Sequence, residues 1–520
     1  MVAREAAFRD KAYSKATVFP ELQFKLSTWT LEEKESVFLP QETVSPKFTI
    51  SQSNAKPEEG TRVLERFQGA ASPQSRLLYC GGPVWGLAWC PLPRGQPQVV
   101  AVAGGLEHGT TTLGKAGGGP GLLQFWQCGL EEAPVFQFGL GHRYGRVGEV
   151  TWCPSGGWDS HRLGLLAAAC ADGTVRVWAV PRPEHVVKEA VYSGEATLSL
   201  HSGGEEVGQC SGLSWHRGPG HRHLAACFSS GMVCVWDLAS ESSLLRTSPS
   251  SLLPHHSWLA HAGSVTGVSL CPDTSVLARH LVTGGTDRCY RFWDLRDTSA
   301  PLQEIKRGLV TGVSWLPGWA AASVCYDDVF LQAHTQTLIA ESGFQTTRSQ
   351  PVIAQNSGVW GLHTSPWLGA VAVGTAAGEV IVFVVPPSDR SMEHDKNVCQ
   401  RRCYVYRTEL EVEAKGEEDR REYGAMREAT LGYRDLASGR PGGGDCPLEE
   451  TRRVRCAERM DQEDLACYPL AMVTRVAWSP NLESHLELAS GGQAGLVRLH
   501  RLRVLETAAV RQAVREVEGR

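Results

Sequence analysis

Methionine is scarce in this 520-residue chain, with six copies, and no run of 18 apolar residues occurs along it. The second absence excludes a membrane-spanning helix, which needs such a run to match the hydrocarbon thickness. Residues 1–11 mix charges with small side chains and lack the continuous apolar stretch of a secretory signal. An intracellular protein with no membrane partner is expected. Net positive charge is missing too: 51 Lys and Arg stand against 56 Asp and Glu, for a formal net charge of −5 and a pI near 6.4. Such a chain has no overall basic field to release counterions from DNA, so contact with nucleic acid would be local or made through a partner.

Catalytic signatures are also absent. There is no GxSxG nucleophile elbow, and no carboxylate pair stands out from the many surface acids. The GGGPG stretch at 117–121 lacks the Lys-Ser/Thr of a phosphate-binding loop and leads into the strand-like LLQFW, so it reads as a hairpin loop. No paired CxxC has zinc spacing; His221, His223, His255 and His256 with Cys399 and Cys403 come nearest. The expectation is a non-enzyme with no cofactor, no metal and no small-molecule substrate. The sixteen cysteines, reduced inside a cell, read as small core residues where they interrupt apolar runs, as Cys153, Cys170, Cys227 and Cys234 do.

What the chain has instead is 55 Gly and 16 Trp in a sequence 42% hydrophobic and 21% charged, which suits short strands joined by tight turns around a large core. One pattern recurs seven times: two apolar residues three apart, usually followed by Trp or Pro. The pairs are Val84/Leu87, Val147/Val150, Cys210/Leu213, Val265/Val268, Val310/Val313, Val359/Leu362 and Val473/Val476. After most of them comes a second apolar run, a two-residue turn and a third run ending in an aromatic, as in LLAAACADGTVRVW from Leu165 to Trp178. Asp172-Gly173, Ser230-Gly231, Ala377-Gly378 and Ala494-Gly495 occupy the turn, where Gly supplies the positive φ of a tight hairpin.

Three strands per unit, with an outer strand in the preceding connector, make a four-stranded blade. The expected fold is all-β: a seven-bladed WD-repeat β-propeller over residues 61–505, with an N-terminal extension at 1–60, disordered in part. Ring closure would spare the terminal blades an open edge, and residues 61–80 are expected to supply the outer strand of the blade ending at Leu499. Successive units are 63, 63, 55, 45, 49 and 114 residues apart. The excess over the usual 40 to 45 is assigned to loops, above all a charged insertion at 386–472 before the last blade. That insertion is expected to be loop or disordered apart from a strand near 403–410. The tail at 506–520 has helix formers at helical spacing. Basic clusters at Arg401-Arg402 and Arg452 to Arg455 read as solvated loop faces, their charge nearly cancelled by neighbouring acids.

Inward side chains three apart in a strand imply a bulge that re-aims the residues between them. The first of those residues, Trp85, Gly148, Ser211, Thr266, Thr311, Trp360 and Thr474, should lie near one rim of the central channel. Trp85, Ser211, Thr266, Thr311, Trp360 and Thr474 are therefore candidate partner-binding residues; for the two Trp, interface anchoring and packing between blades both stand open. His261, Thr283, Asp287 and Trp293 have the order and spacing of one buried hydrogen-bonded set, structural in role, of which Asp172 and Trp178 repeat half.

Beyond the generic repeat, GGPVWGLAWCP (81–91), GPGLLQFW (119–126), RLGLLAAACADG (162–173), HLAACFSSGMVCVWDL, TDRCYRFWDLR and SPNLESHLELASGGQAGLVRLH (479–500) resemble the WD-repeat beta subunits (polypeptide 2) of RNA polymerase III general transcription factor IIIC. The resemblance implies a nuclear, non-catalytic scaffold subunit whose partners are the other subunits of that factor. Promoter DNA of tRNA and related genes would be reached indirectly through the complex. Members of the family have a longer N-terminal extension than the 80 or so residues that precede the first unit here. The alternative is another intracellular WD-repeat adaptor, either a ubiquitin-ligase substrate receptor or a chromatin peptide reader.

Overall fold

Each of the seven apolar pairs opens a six-residue strand whose buried positions are out of simple alternation, as in Val84–Trp89, Val147–Trp152 and Cys210–Trp215. The cause is a register shift at the same place in every one: the ladder to the next strand skips Trp85, Gly148, Ser211, Thr266, Thr311, Trp360 and Thr474. A bulge turns two apolar side chains three apart to the same face, where a regular strand would send them to opposite faces. These facts come from a computed structural model, which describes residues 17–32, 36–52, 60–106, 116–204, 207–272, 279–317, 321–327, 333–339, 345–353, 357–384, 402–411, 429–436, 468–506, 510–512 and 514–515.

Among those residues the strands form seven sheets. Their bulged strands are the innermost of each sheet and touch in the order of the sequence, the last (Val473–Trp478) returning to the first (Val84–Trp89). The chain is thus a WD-repeat β-propeller, and its sheets are called blades 1 to 7 in sequence order. Blade 4 shows the plain form: Val265–Leu270, His280–Gly285, Cys289–Asp294 and Gln303–Lys306, each antiparallel to the next. The outer strand follows the other three in sequence. It does not precede them, which corrects the expected connector, because the outer strand leads on to the inner strand of the next blade. At the tight turn Gly173, Gly231, Gly378 and Gly495 all have φ between 72° and 95°, and in blade 4 Arg288 takes that place at φ 67°.

Blade 7 is the exception that closes the ring. Its outer strand is Ser75–Tyr79, paired antiparallel with Leu496–Arg501, so a segment from before the first blade completes the last. The chain before it is laced along the propeller as well. Val18, Phe19 and Leu22 are buried with the blade 2 and 3 core, Thr30–Leu31 pairs at the edge of blade 1, and Phe48–Gln52 joins blade 6. Arg162, fully buried, holds the first of these anchors by donating to the carbonyls of Val18, Phe19 and Leu22. Residues 17–32 and 36–52 are therefore a strap across several blades.

The insertion at 386–472 needs a correction too. The strand expected near 403–410 is present as Arg402–Glu411, but Thr430–Asp435 forms a second one, antiparallel to it and parallel to Phe48–Gln52. Pairing on both sides makes a strand of a Gly-containing, charged hexapeptide that has weak preference of its own. Asp435 then lies between blades 6 and 7, accepting from Arg498 (2.8 Å) while His500 sits 3.3 Å away. The rest of the insertion, the Arg452 to Arg455 cluster and the side chains of Arg401-Arg402 lie outside the described residues. In the tail, residues 510–512 and 514–515 are helical, with Val510 buried against blades 6 and 7. Among the described residues no helix is long and apolar enough to cross a membrane.

Candidate interaction rim

The bulge is where the backbone leaves the ladder, so the side chain there is free to bond across blades. Four of the seven bulge residues carry a hydroxyl, and each uses it in the same way. Ser211 donates to the carbonyl of Val265 (2.5 Å), Thr266 to Val310 (2.6 Å), Thr311 to Val359 (2.5 Å) and Thr474 to Val84 (2.5 Å). In every case the acceptor is the first residue of the next inner strand, so the hydroxyl staples one blade to its successor. Thr474 is buried and the other three half-buried.

Trp85, Gly148 and Trp360 have no hydroxyl, so blades 1, 2 and 6 lack this staple to their successors. There the guanidinium of Arg475 spans the blades, donating from Nε to the Trp85 carbonyl (2.6 Å) and from Nη2 to that of Gly148 (2.8 Å). Arg146, just before the inner strand of blade 2, lays its guanidinium over the Trp85 ring, 4.7 Å from the centroid. Trp85 and Trp360 are each half-buried. Trp85 on the rim is thus flanked by cations, whereas the hydroxyl residues face their neighbouring blades.

Below the rim the inner strands enclose a cavity of about 250 Å³. Five of the seven bulges have Gly as the second residue, and the two departures are Glu149 and Arg475, both lining the cavity. Glu149 accepts from the Leu213 amide (2.8 Å); burial pushes its carboxyl up, and Arg475 opposes that. His363 also lines the cavity and accepts from the Trp478 amide (3.1 Å), with burial, then Arg217, pulling it down to about 3. Sequence reasoning missed Arg146, Glu149, His363 and Arg475. The signal for two of them was present, as a charge standing where five units have Gly.

Away from the rim, His261, Thr283, Asp287 and Trp293 meet in blade 4. Trp293 Nε1 donates to Thr283 Oγ1 (2.9 Å), Thr283 lies 2.8 Å from His261 Nε2, and His261 Nδ1 lies 2.9 Å from Asp287. With the Trp donating, the Thr hydroxyl donates its hydrogen bond to Nε2 and Nδ1–H is left to donate to the carboxylate. Every member is satisfied by a neutral His261, whose pKa is lowered first by burial, against the pull of Asp287. Blade 2 has no such set: Ala168 takes the place of Thr283, Asp172 bonds Thr174 and Arg176 instead, and Trp178 Nε1 and His142 Nε2 are buried without a partner among the described residues.

Among the described residues no group of three or more His, Cys, Asp or Glu is placed to hold a metal ion. His221 is 2.6 Å from the Ser155 hydroxyl, Cys403 is buried in blade 6, and Cys399 lies outside the described residues. The twelve described cysteines are buried and free of disulfides.

Comparison with known proteins agrees with this architecture. The model of the WD domain, G-beta repeat, matches residues 134–179 and 253–294, which run from the outer strands of blades 1 and 3 into blades 2 and 4. General transcription factor 3C polypeptide 2 of Homo sapiens is 31% identical over 91% of this chain, and that of Pongo abelii is equally similar. The chain spans 58% of the length of those two relatives. Transcription factor tau subunit sfc6 of Schizosaccharomyces pombe is 26% identical over 83% of this chain and 65% of its own length. Among solved structures, a chain of the mitotic checkpoint complex aligns over 86% of this chain and 97% of its own, at 15% identity and a TM-score of 0.47. The chain is a WD-repeat propeller related by sequence, over nine tenths of its length, to general transcription factor 3C polypeptide 2.

Proposed function

We propose that this chain is a non-catalytic scaffold subunit of general transcription factor IIIC. Its partners are the other subunits of that factor, it acts in the nucleus, and it reaches the internal promoters of tRNA and related genes through the complex. The observation that carries this reading is the similarity to polypeptide 2 across 91% of the chain. A propeller alone supports any adaptor role, since fold does not specify function. The mildly acidic charge favours assembly with proteins over independent binding to DNA.

Within this reading the rim is the partner face, with Trp85 and Trp360 as anchors and Ser211, Thr266, Thr311 and Thr474 fixing the shape on which they stand. Aromatic anchors carry a large part of interface energy. Affinity purification of the tagged chain from nuclear extract tests the assignment: recovery of the other transcription factor IIIC subunits is expected, and a cullin adaptor or histone peptide in their place would sink it. Replacing Trp85 and Trp360 together by Ala should release those subunits while the thermal transition persists.

A further inference from the structure

We infer that the arc formed by Trp360, Arg475, Trp85 and Arg146 is a binding site for an acidic side chain or short acidic segment of a partner protein. The inference rests on the reading of the rim as a partner face and names the chemistry that face accepts.

Three observations converge on it. First, the bulges of blades 6, 1 and 2 offer two indoles and a Gly with no hydroxyl, whereas Ser211, Thr266, Thr311 and Thr474 each spend a hydroxyl on the next blade. Second, that arc holds two guanidinium groups with no carboxylate bonded to either among the described residues. Arg475 spends three donors on carbonyls of blades 7, 1 and 2, which leaves one N–H on each terminal nitrogen. Arg146 makes its one ring contact with Trp85, and its Nε is buried without a hydrogen-bond partner. Third, the two cations feel each other: burial, then the charge of Arg475, lowers Arg146 to about 10. A buried donor without a partner and a pair of like charges are both costly, and one anion between them relieves both.

Glu149 is the charged group of opposite sign nearby. Its carboxylate accepts from the Leu213 amide of blade 3 and bonds no guanidinium among the described residues, although the charge of Arg475 reaches it. Trp360 and Arg475 line the cavity of about 250 Å³, which is too small for a nucleic-acid duplex, while Trp85 and Arg146 stand outside its lining. The net charge of −5 further disfavours a long polyanion. A carboxylate accepts from a guanidinium in two places at once, and the Trp85 indole beside Arg146 excludes water from that contact.

The probe is fluorescein-labelled hexaglutamate, read by fluorescence anisotropy on the full chain, with hexaglutamine as the neutral counterpart. Hexaglutamate should bind the parent chain and a Lys188→Gln variant equally, Arg146→Gln at least tenfold more weakly, and Arg146→Lys in between; hexaglutamine should not bind. Hydrogen exchange with and without the peptide should show protection at residues 84–87 and 146–149, a readout that stands even where Arg146→Gln does not fold. No saturable binding, equal binding by Arg146→Gln, or protection elsewhere overturns the inference, as does a labelled 20-base-pair duplex that binds with the same dependence on Arg146. Recovery of the other subunits from nuclear extract without hexaglutamate binding sinks this site alone. Hexaglutamate binding without those subunits sinks the complex assignment alone.

Discussion

The two segments that match the repeat family end in blades 2 and 4, yet these blades solve the same burial problem differently. In blade 4 a Thr hydroxyl stands between an indole and an imidazole, and a chain of hydrogen bonds runs from Trp293 to Asp287. In blade 2 the indole and the imidazole are both present, as Trp178 and His142, but Ala168 leaves them unconnected. Packing takes over: His142 lies against Tyr144 and Trp178, with ring centroids 5.7 and 5.5 Å away. One missing oxygen therefore separates a polar network from an aromatic stack, and the blade persists in both forms because its strands and turn are the same.

That difference has a sign in pH. Burial, with Arg176, lowers His142 to about 3, and no carboxylate bonds its ring, whereas Asp287 raises His261 against burial. A depressed imidazole contributes stability that is complete above its unfolded value of about 6.5 and fades as pH falls toward the folded one. Between pH 7 and pH 4, unfolding should become easier by on the order of 3 kcal/mol through His142 alone, at about 1.4 kcal/mol per unit. In denaturation series across that range, His142→Phe should be flatter than the parent, and an unchanged slope would place the titration elsewhere. Breaking the intact network comes next in size. Thr283→Val leaves His261 and Trp293 without their shared oxygen and should cost about 2 kcal/mol in the same experiment at pH 7.

Supplying the missing oxygen is the converse test. Ala168→Ser places a hydroxyl where Trp178 Nε1 and His142 Nε2 lack one, with a gain of about 1 kcal/mol expected in thermal unfolding. A lowered transition would show that the aromatic stack cannot give way to a network. The smallest effect belongs to Asp172→Asn, at about 0.5 kcal/mol or less, because the half-exposed Asp172 bonds Thr174 and Arg176 and not the His. A loss equal to that of Asp287→Asn would erase the distinction between the blades.

Much of this was legible in the sequence because the inner strands repeat. Each apolar pair marks the first residue of a strand, and the Gly of each hairpin sits where positive φ is required. The rim was located by the bulge, but the hydroxyls of Ser211, Thr266 and Thr311 bond a neighbouring blade, and nothing local in a sequence points across a ring. Phe48–Gln52 and Thr430–Asp435 were missed for the same reason: each is a strand because it meets the other, across almost 400 residues. Arg162 carries no motif at all, since its role is defined by three carbonyls 140 or more positions away.

The closure of blade 7 also sets a clock on synthesis. Ser75–Tyr79 emerges from the ribosome early and finds its partner only when Leu496–Arg501 follows. At 5 to 20 residues per second that interval is roughly 20 to 80 seconds. For all of that time a strand paired on one side only, with the short Gly69–Ala71, keeps its other edge open beside incomplete blades, the condition in which chains aggregate or capture the wrong neighbour. A protein closed in this way depends for its yield on whatever shelters its first strands until its last are made.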